Sequence, residues 1–257
     1  RARWRRAAGC AAAVALGASF ALADDNEKEE KPEVQGTVSW RKGSVERRPA
    51  GKEKWNALDK GDSVFMGDVV RTGKSARVEI RLKDKSLLRI DQKSKITLSR
   101  FQLEASAGSG NEDLLSRVWL KVKKQGGKPS NYEVSTPTAV AGVRGTVLRV
   151  DLEKDKDDND VTLVKVYTGK VDVTRPKRGP RVEVPGPDEV TKDTWEKIVI
   201  EMMGKEQLRI GRSGPLGKVA KFDPDDEKKT DEWARWNQER DEVEEKGGDE
   251  PEAPKGD

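Results

Sequence analysis

Arg144 stands in the middle of "STPTAVAGVRGTVLRV" (residues 135–150), the least polar long stretch beyond the first 23 residues. Its guanidinium carries a permanent charge and five donors in a rigid fork. In a segment that reads as buried, such a group either holds a fold together or receives an anionic partner. Buried and unpaired it would cost on the order of several kcal/mol, so a stretch this apolar predicts pairing inside the fold.

Other chemistry is limited by what the chain lacks. It has no His, and its one Cys is Cys10. That removes the commonest general base, imidazole metal ligation, and Ser-His or Cys-His nucleophile pairs. An all-oxygen metal site would suit calcium or magnesium. Asp155-x-Asp157-x-Asn159 begins like a calcium loop. However, Asp160 takes the sixth position, where Gly is required, and Val166 the twelfth, where Glu is required. A solvated hairpin tip accounts for Asp155, Asp157, Asp158 and Asp160. Glycosidase chemistry needs paired carboxylates with one in an apolar setting, and Glu201 is the one acid so placed. "GRSGPLGK" (211–218) is Gly-rich but lacks phosphate-loop spacing. Trp233 and Trp236 share a helix face. They either stack on a sugar or partner, or form the stripe by which a terminal helix docks on its own domain. These patterns predict no catalytic residue, no metal ligand and no cofactor.

The 257 residues are 33% hydrophobic and 38% charged, which predicts a compact centre with poorly ordered ends. Arg1, Arg3, Arg5 and Arg6 precede the apolar run "AAGCAAAVALGASFAL", and Ala21-Leu22-Ala23 offers small residues before Asp24. This is a secretory-signal pattern over residues 1–23; a membrane anchor competes, but the run falls short of the roughly 20 residues that span a bilayer. Removing it takes away four arginines and no acid, leaving basic and acidic residues in balance. The basic composition is therefore no argument for nucleic acid. Cys10 leaves with the signal, so the exported chain has neither thiol nor disulfide. No later segment approaches spanning length, and no stable membrane insertion is expected after cleavage.

The candidate residues need elements to position them. Short strands fill the chain from Val34 to about Val184. In "RVEIRL", apolar Val78, Ile80 and Leu82 alternate with charged Arg77, Glu79 and Arg81, the period of a half-buried strand. "SLLRI", "KITLS", "VWLKV", "TVLRVDL", "VTLVKVYT" and "KVDVT" continue the pattern. "EASAGSGNED" (104–113) reads as a loop and "EKDKDDNDV" (153–161) as a long hairpin tip. Beyond Pro185, "DTWEKIVIEMMG" places Trp195, Ile198, Val199 and Met202 at helical spacing, with Asp193 as N-cap and Gly204 as stop. "KEQLRIG" reads as a strand and "TDEWARWNQERDEVEE" (230–245) as a second helix. Residues 223–257 hold 15 acidic and 6 basic residues. An acidic tail thus follows a basic body, and it either folds back onto that body or stays solvated.

Three segments resemble the FecR domain in the expected order. "GDVVRTGKSARVEIRLKDKSLLRI" is similar to its Gly-Asp-x-Val-Arg-Thr-Gly and Asp-x-Ser-x-Leu pattern. "VSTPTAVAGVRGTVLRV" is similar to its Thr-Pro-x-Ala-x-x-x-Val-Arg-Gly-Thr hallmark, and "VKVYTGKVDV" to its closing element. Lys85 departs from a frequent Gly, and Val147-Leu148 from a more aromatic pair. The resemblance covers residues 34–175 and implies an extracytoplasmic, β-rich, solenoid-like module. In the founding regulators that module receives a signal from an outer-membrane transporter and relays it through a membrane helix to a cytoplasmic sigma-factor-binding region. Here a signal stands in place of that region, so only the module carries over. Asp68, Arg71, Thr72, Gly73, Thr136, Pro137, Arg144, Gly145 and Thr146 are its motif residues and are expected to serve the fold. Asp68 is the expected partner of Arg144, because stacked strands bring equivalent turns together.

The expected fold is mainly β: a flexible leader (24–33), a FecR-like β-solenoid or β-roll body of short strands (34–184), an extension with helix and strand (185–222), and an acidic tail with a Trp-bearing helix (223–257). The expected function is an exported, non-enzymatic FecR-type binding or signalling module, periplasmic or secreted, in contact with an envelope protein. The alternative is binding of an envelope carbohydrate, peptidoglycan, with Trp233 and Trp236 or Trp40 and Trp55 as the sugar platform.

Overall fold

The computed structural model describes residues 33–99, 102–106, 116–125, 128–129, 131–176, 199–213 and 216–246. The expected signal, most of the leader and of the 104–113 loop, Asp193, Trp195, Ile198 and the final residues lie outside them.

The strands run in chain order: β1 (Val34–Lys42), β2 (Val45–Arg48), β3 (Asn56–Ala57), β4 (Ser63–Phe65), β5 (Val69–Thr72), β6 (Arg77–Leu82), β7 (Leu87–Ile90), β8 (Lys95–Ser99) and β9 (Gln102–Ala105). They continue as β10 (Arg117–Lys121), β11 (Lys124–Gln125), β12 (Lys128–Pro129), β13 (Asn131–Ser135), β14 (Val140–Lys154), β15 (Asp160–Thr174), β16 (Val199–Met203), β17 (Glu206–Gly211) and β18 (Ala220–Lys221). Two helices close the described chain, α1 (Pro224–Thr230) and α2 (Glu232–Glu245). The fold is mainly β, as its period-two patterns require, and its main sheet curls into a half-barrel.

β14 and β15 are the spine. Each is 15 residues long, and they pair antiparallel around the acid-rich tip, where Asp155 Oδ1 accepts the backbone N–H groups of Asp157 (2.8 Å) and Asn159 (2.9 Å). Along its free edge, β14 pairs first with β13 and then with β10; β15 likewise pairs with β16 and β17. One arm of the sheet runs β13-β9-β8-β5-β2-β3 and the other β10-β7-β6-β1-β4. Pairing among the described strands is antiparallel except between β9 and β13.

Both spine strands are bulged where the arms divide. Register shifts between Arg144 and Val147, opposite Thr168 and Lys170. Gly145 (φ 61) and Gly169 (φ 85) supply the left-handed backbone, and Thr146 Oγ1 donates to Lys170 O at 2.9 Å across the bulge. An extra residue reverses side-chain parity. Ahead of it, Ala141 and Val143 face the core; beyond it, Leu148 and Val150 do. The core they enter is one cluster drawing on both arms, including Val38, Val70, Ile80, Leu98 and Leu120.

The helix expected around Val199 and Met202 is a strand instead. β16 adds to the open edge of β15, with Met202 opposite Val171 and Ile200 opposite Val173. A sheet edge needing backbone partners outweighs the helical spacing of Val199 and Met202, and β-branched Val199 and Ile200 suit a strand. The strand read in "KEQLRIG" is β17, and the second helix is α2, capped by Asp231, whose side chain accepts Ala234 N–H at 3.0 Å.

A Cβ at Gly169 would lie 2.8 Å from Thr146 Oγ1, on a backbone that L-residues rarely adopt. Gly169→Ala is expected to destabilise the fold by about 1–3 kcal/mol in thermal or urea melts. At Gly142, where a Cβ meets nothing nearer than 3.7 Å, alanine is expected to leave stability unchanged or slightly higher.

Candidate functional site

Alternation gives β6, β7, β10, β14 and β15 a second face, opposite the core. It carries Glu79, Arg89, Trp119, Arg149 and Tyr167, and all five are buried. The cover is the C-terminal helical pair, so the charged side of a strand such as "RVEIRL" faces protein rather than water at Glu79.

Arg89 sits at the centre, 1% exposed. Its Nε donates to Glu79 Oε2 (2.7 Å), and its Nη1 to Asp241 Oδ1 (2.7 Å) and the Asn237 carbonyl (3.2 Å). Glu79 also accepts from Arg240 Nε (3.1 Å) and Ser39 Oγ (2.6 Å), while Asp241 Oδ2 accepts from the Trp119 indole (3.1 Å). Two guanidinium groups and two carboxylates thus neutralise one another away from water. Burial alone would raise the Glu79 pKa. The charges of Arg89 and Arg240 and the Ser39 hydroxyl outweigh that and hold it at about 2, against 4.5 for an ordinary glutamate.

A second centre lies under α1. Arg149 pairs with buried Asp151 (2.6 Å), with Asp231 (2.7 Å) and with Glu227 (3.2 Å). Glu227 also receives Lys165 Nζ (2.6 Å) and the Tyr167 hydroxyl (2.5 Å). Burial, then the Glu227 charge, pushes the Tyr167 phenol far above its ordinary range. Aromatic rings join the centres: Trp119 lies 4.3 Å from Tyr167, Trp233 stacks on Trp236 at 5.3 Å, and Trp236 meets Trp40 at 5.1 Å.

Several sequence expectations are corrected here. Trp233 and Trp236, the candidate partner-binding pair, are buried against this face and offer no platform to a ligand. Arg144, expected to be buried, is exposed and makes no ion pair among the described residues. Asp68 instead binds Arg47 Nη1 (2.9 Å) and the Phe65 N–H (2.9 Å), because β2 runs beside β5. The buried arginine of the apolar stretch is Arg149, five residues on. Glu201 is exposed on a strand and pairs with Lys170 at 3.1 Å.

The remaining motif residues meet in local turns, not at one centre. Thr72 Oγ1 donates to Asp91 O (2.5 Å), and Gly73 N–H to Ser44 O (2.9 Å). Arg71 pairs with Glu46 (2.7 Å) and lies 4.0 Å over the Trp55 ring. Thr136 Oγ1 donates to Ala139 O (3.0 Å) and shares a hydrogen bond with Thr162 (2.7 Å), closing the turn into β14 beside exposed Pro137. Sequence reading passed over Glu79, Arg89, Arg149 and Asp241. The available signal was a charged residue flanked by apolar ones in "LLRI" and "VLRV", together with an acidic tail that needed cations.

Residues 68–172 match the family model described as FecR protein, and the chain carries a FecR domain there. β1 to β4 precede the match yet pair into the same sheet. Among solved structures, two crystal structures of a candidate anti-sigma factor from Parabacteroides distasonis ATCC 8503, at 1.65 and 2.50 Å resolution, are similar. Each has 18% identity and a TM-score of 0.40, with 63% of this chain and 62% of that chain covered. No curated protein matches.

Arg89→Met would remove the cation shared by Glu79 and Asp241 and leave excess negative charge in the interior. It is expected to lose about 3–5 kcal/mol in urea unfolding, whereas Arg144→Ala should stay within about 0.5 kcal/mol of the parent. Acid titration supplies a second check. The folded pKa of Glu79 lies below its unfolded value, so its stabilisation is complete above about pH 4.5 and is lost as pH falls towards 2. Asp231, held low by Arg149 despite burial, acts in the same direction; Asp91, raised by burial, opposes it. Glu79→Gln is expected to flatten the fall in stability between those pH values.

Proposed function

We propose that this chain is an exported, non-enzymatic FecR-type binding module that acts in the cell envelope, periplasmic or secreted, through contact with an envelope protein. The placement of Arg144 carries the reading. Within the FecR motif, Thr136, Gly145 and Thr146 are consumed by the turn and the bulge. The Arg144 side chain is exposed, and its guanidinium makes no ion pair among the described residues. A free guanidinium recognises a carboxylate with two parallel hydrogen bonds, which suits an acidic side chain or chain end on a partner protein. The family's regulators transmit signals rather than transform substrates, and the cationic and apolar start of the chain supports export. The glycan reading has lost most of its rings: Trp233 and Trp236 are buried and Trp40 packs on Trp236, leaving Trp55 beneath Arg71 and Arg48.

The test places a photo-crosslinking residue at exposed Asn131, which pairs with Arg144 across β13 and β14, in the native envelope. One discrete protein adduct is expected, lost in Arg144→Glu while the melting temperature holds. An adduct indifferent to Arg144→Glu, or none at all, overturns the proposal; co-sedimentation with purified peptidoglycan would replace it with the glycan reading.

A further inference from the structure

The outward face of β6, β7 and β10 is a groove with a helix lying in it. We propose that this groove accepts acidic, tryptophan-bearing helices, that α2 fills it in cis, and that a helix of the same chemistry on a protein partner displaces α2. The partner rests on the protein-binding reading above; the groove does not.

Four observations support it. First, the groove strands lie inside the FecR match at 68–172, whereas α1 and α2 lie outside it. The domain supplies the receptor face and the tail supplies the occupant. Second, charge is complementary along the whole length. Arg77 meets Glu232 (3.1 Å), Arg89 meets Asp241 (2.7 Å), and Lys123 and Arg81 meet Glu244 (2.6 and 3.4 Å). Lys121 adds Glu245 at 3.0 Å. Third, the chemistry is that of an exchangeable interface. It is held by ion pairs and by stacked rings with cations above them, including Arg240 5.1 Å over both Trp40 and Trp236. The ion pairs fix the register of a helix but return little net free energy over water; the buried rings of Trp233 and Trp236 add the apolar share of the contact. Fourth, the cis occupant fits imperfectly. The Trp233 side chain is 1% exposed, yet its indole N–H has no hydrogen-bond partner among the described residues. A buried orphan donor costs about 1–3 kcal/mol, a penalty that a competing helix without a tryptophan there does not carry.

The helical pair also joins the sheet through a slender element, β18, two residues long and paired among the described strands to β17 alone. Release of α2 would uncover Arg89, Lys121 and Trp119, a cationic and aromatic surface matched to the helix that left it. The signature it reads is carried by α2 itself: Trp236, then Asp241 for Arg89 and Trp119, then Glu244 for Lys123 and Arg81.

The probe is a fluorescent peptide of residues 223–246, titrated against the full chain. Cys10 is the chain's one cysteine, so in a Cys10→Ser background Arg81→Cys with Glu244→Cys can be bridged cleanly by a bis-maleimide across the boundary. The peptide is expected to bind the unbridged double variant at least about tenfold more tightly than the bridged form. Asp241→Ala, which weakens the cis contact, should gain a similar factor over the parent. A peptide with Glu232, Asp241 and Glu244 changed to their amides should lose it. Equal binding to bridged and unbridged protein overturns the proposal, as does no binding to either. Amide exchange gives an answer independent of any variant: α2 must exchange well ahead of β14, and exchange of both only by global unfolding makes α2 a permanent part of the core. Dimerisation of the unbridged chain alone would put a second copy in the groove and overturn the partner helix. Absence of an adduct at Asn131 would count against the envelope partner and leave these measurements untouched.

Discussion

The guanidinium of Arg89 has to be neutralised without water, and much of the molecule follows from that. It sits on a short strand inside one arm of the sheet, with the apolar core beneath it and α2 above. Neighbouring strands supply only one carboxylate, Glu79, and Glu79 is shared with Arg240. The second must come from elsewhere in the chain, and Asp241 is brought from 152 residues away to provide it. Docking α2 also gives the Trp119 indole an acceptor and sets Trp236 against Trp40. A desolvated charge tolerates few alternative partners, so it fixes where the tail lies even if it contributes little net stability.

The spine bulge explains why two arginines of one strand have opposite fates. Val143 precedes the bulge and Leu148 follows it, and both enter the core. Arg144 and Arg149 alternate with them, so both point outward despite the odd spacing between them. What separates them is cover. Arg149 lies under Glu227 and Asp231, whereas Arg144 is exposed. Without the bulge, one of the two would be driven into the apolar core. The glycines at 145 and 169 are therefore tied to charge placement as much as to chain geometry.

The strands, the C-terminal helix and the FecR domain were legible because each depends on local signals: period-two alternation, an aspartate cap, and short motifs. The fate of individual charges was not. Alternation assigns Glu79 and Arg77 to the polar side of a strand, but it cannot say whether that side meets solvent or a helix 160 residues away. Arg144 was misread because its neighbours are apolar, and apolar neighbours in a strand alternate between two faces. The β16 segment shows the same limit. Val199 and Met202 fit a helical stripe as well as a strand, and the open edge of β15 decided the matter from outside the segment. The division between basic body and acidic tail was visible, but it left docking and solvation of the tail equally open and named no residues.

A face built this way combines order with replaceability. Apolar cores gain free energy in proportion to buried area, and their occupants are hard to exchange. Ion pairs behave differently. Much of the attraction between buried charges is offset by the water both give up, so the difference between one acidic helix and another depends on geometry more than on total contact. Misplacing a carboxylate leaves a buried cation exposed to its full desolvation penalty, which excludes neutral or basic helices strongly. A helix with carboxylates at matching positions meets no such penalty. The charges that hold α2 in register are therefore the same charges by which the face distinguishes one helix from another.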